Sequence, residues 1–168
     1  MNFKEAYSKL KESSEFKNWQ KKNPKTFLAH FFNQLDMNYM QGDWEVGFYD
    51  KAKDKITTFV VGVAAVVVKP EDEVFKKEEH HVLELKIDKI KIDLDKAIKT
   101  FKQCQEEKYS GQWPMKIFVI LQKLDEVTVW NITSATKTFS ALNIKINAVD
   151  GKIISDKCES FFDLRVKD

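Results

Sequence analysis

Apolar positions recur along the chain with two alternating periods. Between Asn2 and Gln20 they fall at helical spacing. Phe3, Ala6, Tyr7 and Leu10 share one face, and Phe16 extends it. Asn2, with Glu5 three residues on, forms a capping pair at the start of this segment. From Thr26 to Leu35 the period changes, and "TFLAHFFNQL" has the aromatic and β-branched content of a strand. "WEVGFYD" and "KITTFVV" follow as further strands, joined by the polar turn "KAKD". The run "FVVGVAAVVV" (Phe59 to Val68) is expected in the sheet, with Phe59, Val61, Val63 and Val67 facing one way. Val60, Ala64, Val66 and Val68 would then face the other. After the charged loop "KPEDEVFKKEEHH" (Lys69 to His81), "VLELKID" is expected as a closing strand with Leu83, Leu85 and Ile87 on one face. Ile90 and Ile92 fall out of that phase, which predicts a bulge or break near Asp88 and Lys89.

The second half repeats this order. Leu94, Ala97, Ile98 and Phe101 stand 91 positions after Phe3, Ala6, Tyr7 and Leu10, with Asp93 placed to cap the helix. Pro24 and Pro114 end the two helical segments. A strand then closes on Leu-Asp in each half, at Leu35 and at Leu124, and a Trp-x-aliphatic pair follows at Trp44 and at Trp130. "VTVWNIT" and "SALNIKIN" complete the second set of strands. Asp150-Gly151 supplies the positive-φ position of a tight turn before "KIIS". The expectation is an α+β protein of two tandem units, residues 1–90 and 91–168. Each unit would lay one helix on a curled antiparallel sheet.

Alternation bears on how such units meet. Leu142 to Ala148 alternates apolar with polar, as a strand wet on one face should. "TFLAHFF", "MKIFVIL" and "FVVGVAAVVV" do not alternate, and each Val left in water forfeits about 1.5 kcal/mol or more of burial. Covered outer faces follow as an expectation, by the two units packing on each other in a monomer or, second, by a homodimer.

Composition narrows the classes of function. The 168 residues are 43% hydrophobic and 32% charged, which is globular. Net charge is +2 and nearly all cations are Lys, the exception being Arg165. Lys alternates with Asp and Glu, as in "KIDKIKIDLDKAIK", which describes a solvated surface and no nucleic-acid track. The longest apolar run is too short for a membrane-spanning helix, and the N-terminal segment carries no apolar signal-peptide core. A soluble chain is expected, extracytoplasmic if a leader was removed. Cys104 and Cys158 do not make a disulfide framework; two buried or half-buried thiols are expected, with a single bridge as the alternative outside the cell.

The closing segment of the second half resembles the PepSY family. "KIDLDKAIKTF" is similar to that family's lead strand and helix, "VTVWNIT" to its Tyr/Trp-x-Val strand, and "IKINAVDGKII" to its closing hairpin, over about residues 87–155. The first half is similar only through its likeness to the second. The resemblance implies a cystatin-like shape and a non-catalytic binding or inhibitory role, toward a peptidase or an envelope partner.

Candidate chemistry is sparse. "EEHH" (Glu78 to His81) is the one His cluster, but adjacent strand residues point to opposite faces and no metal-ligand spacing supports it. His30 sits among Phe27, Leu28, Phe31 and Phe32 and is expected to be partly buried. Cys104 takes a core position on its helix, and the "NIT" glycosylation triplet at Asn131 falls in a strand. Five glycines leave little material for a phosphate cradle, and no nucleophile-base motif occurs. No catalytic, cofactor-binding or metal residue is assigned and no enzyme activity is expected. The function expected is a non-catalytic protein-binding module with an unknown protein partner. The alternative is a carrier holding a small apolar ligand between helix and sheet.

Overall fold

A computed structural model describes residues 1–73 and 81–164. The interior of the charged loop, with Glu78 to His80 of the His cluster, lies outside the described residues.

Asn2 accepts from the amides of Lys4 and Glu5, and the Glu5 carboxylate accepts from the Asn2 N–H at 2.8 Å. This capping box starts α1 (Phe3–Glu12). The helix does not run on to Gln20. Ser13 turns to extended backbone, closes α1, and its hydroxyl caps α2 (Ser14–Lys22) by accepting from the Phe16 N–H. The break redirects Phe16 onto Phe48 and Phe59, with ring centroids 4.9 and 5.4 Å away. One helical stripe in the sequence therefore becomes two short helices.

Five strands follow: β1 (Phe27–Leu35), β2 (Trp44–Asp50), β3 (Lys55–Val61), β4 (Val66–Val68) and β5 (Asp72–Glu73). Then come a 3-10 turn (Ile87–Lys89), α3 (Leu94–Lys108), β6 (Pro114–Leu124), β7 (Val127–Thr136), β8 (Ser140–Asn147), β9 (Ile153–Ser160) and α4 (Phe161–Leu164). The fold is α+β, with four helices and one nine-stranded antiparallel sheet among the described residues. Its order is β4-β3-β2-β1-β6-β7-β8-β9, with β5 on the free side of β3. The join between the halves is edge to edge: β1 pairs with β6 from His30 opposite Gln122 to Leu35 opposite Ile117.

The sequence expected the outer sheet faces to be covered by one unit lying on the other. Edge-to-edge pairing corrects this. Both helix layers lie on one face, since Phe3 of α1 meets Phe31 and Trp44 in one half and Trp130 in the other. The run from Phe59 to Val68 is also not a single strand. A Gly62 N–H to Ala65 carbonyl bond folds it into a hairpin, which leaves Val63 87% exposed instead of inward. Residues 82–86 are not a closing strand. They carry no regular secondary structure, and one backbone bond joins them to the sheet, from the Leu85 N–H to the Leu28 carbonyl at 2.8 Å. The predicted break near Asp88 is the 3-10 turn.

Between helices and sheet, Trp44, Trp130, Phe16, Phe31, Phe59 and Phe101 are fully buried. Each indole ties the start of a helix to the sheet. Trp44 Nε1–H donates to the carbonyl of Met1, which precedes the cap of α1, and Trp130 Nε1–H to Ile92, which precedes the cap of α3. Antiparallel pairing sorts the connections between two ends of the sheet. The 51–54, 125–126 and 148–152 turns lie at one end; residues 36–43, 62–65, 113 and 137–139 and α4 lie at the other.

Candidate functional site

The helix-free face of the sheet carries a cleft of about 740 Å³. It lies where the two halves join. Pairing between β1 and β6 starts at His30, after an irregularity at Ala29 in β1. The Leu28 carbonyl is thereby free to accept from Leu85, and His81, Val82 and Leu83 come to line the cleft. Strand parity dictates the floor. Phe31, Ile117, Val119 and Leu121 point toward the helices and are fully buried, so Phe32, Ile120 and Gln122 point the other way. Phe32 stacks on Phe118, with ring centroids 6.3 Å apart and planes at 25°. Both rings are half-buried.

Polar groups surround this apolar floor. Asn143 Nδ2–H donates to Asn131 Oδ1 at 2.7 Å and to Thr133 Oγ1 at 2.8 Å, a ladder across β7 and β8. Lys69 and Glu45 pair at 2.7 Å, and Lys123, Lys145, Asp72, Glu73 and Asp125 stand around the rim.

His30 occupies a slot made by a glycine. It sits opposite Gly47 in the register, and a Cβ at Gly47 would lie 2.3 Å from the His30 Cε1. Burial pushes the His30 imidazole down to about 4, and the Glu45 carboxylate opposes only part of this. The ring is neutral at pH 7.

A second polar cluster ties α3 to β9. Tyr109 Oη–H donates to Asp156 Oδ1 at 2.5 Å, and Lys108 Nζ reaches Asp156 Oδ2 at 2.9 Å. These bonds hold the Asp156 carboxyl below its ordinary range and push the Tyr109 phenol up to about 12. Cys104 and Cys158 are free thiols, and burial raises both, as does the Asp156 charge near Cys104. A raised thiol is a poor nucleophile at neutral pH.

Among the described residues no three His, Cys, Asp or Glu side chains group closely enough to hold a metal. His81 lines the cleft, while Glu78 to His80 lie outside the described residues. Asn131 is in β7, half-buried and bonded to Asn143. Trp44 and Trp130 belong to the helix side, away from the cleft. Sequence reasoning did not single out the Phe32–Phe118 stack or the Asn131–Asn143 ladder. The signal was the failure of "TFLAHFF" and "MKIFVIL" to alternate, which placed apolar side chains on both faces.

No protein-family model and no curated protein sequence matches the chain. Among solved structures it is similar to one described as a putative lipoprotein from Clostridium difficile 630, at 14% identity and a TM-score of 0.54. The alignment covers 86% of this chain and 90% of that one. At that identity the likeness concerns the fold. No helix among the described residues is long and apolar enough to cross a membrane.

Proposed function

We propose that this chain is a non-catalytic binding module that holds an extended segment of a protein partner in the outer-face cleft. The carrying observation is the opening between β1 and β6. There the Leu28 carbonyl already takes a backbone amide from a stretch that belongs to no strand, at 2.8 Å. β1 has no β6 partner before His30, and main-chain bonds to such unpaired strand residues are the basis of binding by strand addition, with neighbouring side chains giving selectivity. Phe32, backed by the Phe118 ring, and Ile120 offer apolar contact, and Gln122 and Asn131 offer amides. The raised thiols and the neutral His30 support a role without turnover.

The similarity of the 87–155 segment to PepSY domains favours a peptidase or envelope partner. It also favours descent of the two halves from one duplicated unit, in keeping with the matching Trp-to-helix bonds. The fold it shares with a putative lipoprotein is compatible with a place outside the cytoplasm.

A second reading is a carrier of a small apolar ligand. The cleft volume of about 740 Å³ favours it, being within the range of small-molecule sites. Such a ligand would sit on the outer face, because six large side chains fill the space between helices and sheet.

A photo-crosslinking amino acid at position 120 in the cleft, compared with one at the exposed position 99 on α3, tests the first reading in cells of the source organism. Discrete protein adducts from position 120 alone are expected. Equal labelling from both positions would sink it. A melting temperature raised by a small apolar compound, lost in Ile120→Asp, would favour the carrier.

A further inference from the structure

Among the described residues the sheet has one long open edge. On one side it ends in β4 and β5, three and two residues long, both on β3. On the other it ends in β9, eight residues that pair with β8 and with no other described strand. Hydrogen-bond parity fixes which groups that edge presents. The Ala148 N–H donates to the Thr128 carbonyl, and the Phe161 N–H to the Phe139 carbonyl. Carried along the two registers, these bonds turn the main chains of Ala141, Asn143 and Lys145 toward Glu159, Lys157 and Ser155. The N–H and C=O groups of Asp156, Cys158 and Ser160 therefore point away from β8, and they have no main-chain partner among the described residues.

Such an edge is a template for another strand, and a charge placed on it commonly guards against pairing. Here the charges are self-complementary. Asp156 is bonded to α3, so Lys157 and Glu159 stand on the opposite, helix-free face, where they pair with each other at 2.6 Å. A lone Lys would repel the same strand of a second copy, but a Lys with a Glu two residues on matches itself read backwards. We propose that β9 pairs antiparallel with β9 of a second copy, about a two-fold axis at Cys158. Lys157 then lies opposite Glu159 of the second copy, and Glu159 opposite its Lys157. Asp156, Cys158 and Ser160 exchange main-chain bonds with Ser160, Cys158 and Asp156 of that copy. Moving the axis to Lys157 or to Glu159 would set like charges directly opposite, which is destabilising. Charge thus selects the Cys158 register over its neighbours.

The apolar side chains agree with this occupant. Ile153 and Ile154 begin β9, and Phe161 and Phe162 follow it, each between 37% and 66% exposed. Antiparallel pairing brings the isoleucine end of one copy to the phenylalanine end of the other, at both ends of the seam. Asp156 carries no unpaired charge to the seam, since Tyr109 and Lys108 already bond it. Helix α3 packs on β7 and β8, one and two strands back from the edge, which leaves room on the helix side for the second copy.

Sedimentation equilibrium of the full chain, from micromolar to millimolar concentration, tests this. The native chain should dimerise as concentration rises. Lys157→Glu leaves two Glu on the edge and Glu159→Lys leaves two Lys, and each should weaken self-association at least about tenfold. An equimolar mixture of these two variants should dimerise as the native chain does, because each Glu again meets a Lys. The double exchange, Lys157→Glu with Glu159→Lys, keeps the complementarity and should dimerise on its own. A native chain that stays monomeric at millimolar concentration would overturn the proposal. So would a dimer that survives both single substitutions, two folded single variants that fail to associate when mixed, or a folded double exchange that stays monomeric.

Discussion

Replacing Gly47 by Ala tests how the outer face is built around His30. The added Cβ would lie 2.3 Å from the ring Cε1 and 2.7 Å from each ring nitrogen, so the imidazole must leave its slot. Overpacking of this kind costs about 1–3 kcal/mol. Removing a glycine from a strand returns about 0.5–1 kcal/mol of unfolded-chain entropy. The net expectation is a loss of roughly 0.5–2 kcal/mol in urea unfolding followed by circular dichroism. In a His30→Ala background the clash is gone, and Gly47→Ala should be neutral or stabilising. The double-mutant cycle should therefore give a coupling of about 1–3 kcal/mol. Equal costs in both backgrounds would show that the ring does not occupy the slot.

Three further outcomes are expected. The folded state disfavours protonated His30, held near 4 against an ordinary 6.5, so below pH 6.5 the unfolded chain binds a proton that the folded chain refuses. Stability should fall by up to about 3 kcal/mol as pH drops from 6.5 to 4, and the fall should be smaller in His30→Gln, checked by urea midpoints across that range. Gly151→Val should cost about 1 kcal/mol or more in melting experiments, because Gly151 has φ +77; space is not the cause, since the nearest atom to an added Cβ is Ile92 Cδ1 at 3.5 Å. Trp130→Phe should cost about 1–3 kcal/mol by orphaning the Ile92 carbonyl, and Trp44→Phe less, because the Met1 carbonyl belongs to an exposed terminal residue; equal costs by urea unfolding would contradict this.

Local features were legible in the sequence because each rests on neighbouring residues. The capping box at Asn2, the Asp93 cap, the α3 stripe and the Asp150-Gly151 turn are all of this kind. The double role of Ser13 was hidden, because the apolar stripe continues past it and only the direction of the chain changes. The hairpin within "FVVGVAAVVV" was hidden too, since a run of Val carries no turn signal beyond Gly62. How the halves meet depends on β1 finding β6, a pairing of residues about 90 apart that no local pattern encodes. The same non-alternating strands fit a face-to-face stack or an open outer face. Edge pairing decided between them, and with it exposed the candidate site.

Selection of displayed random peptides on the intact protein tests the central claim, that the outer-face cleft binds an extended polypeptide. Enriched peptides should bind at least about tenfold more weakly to Ile120→Asp, a substitution at the cleft floor. They should bind Phe162→Ser, in α4 and outside the cleft, as tightly as the unaltered chain. Peptides that bind Ile120→Asp undiminished, with that variant confirmed as folded by its melting curve, would contradict the account.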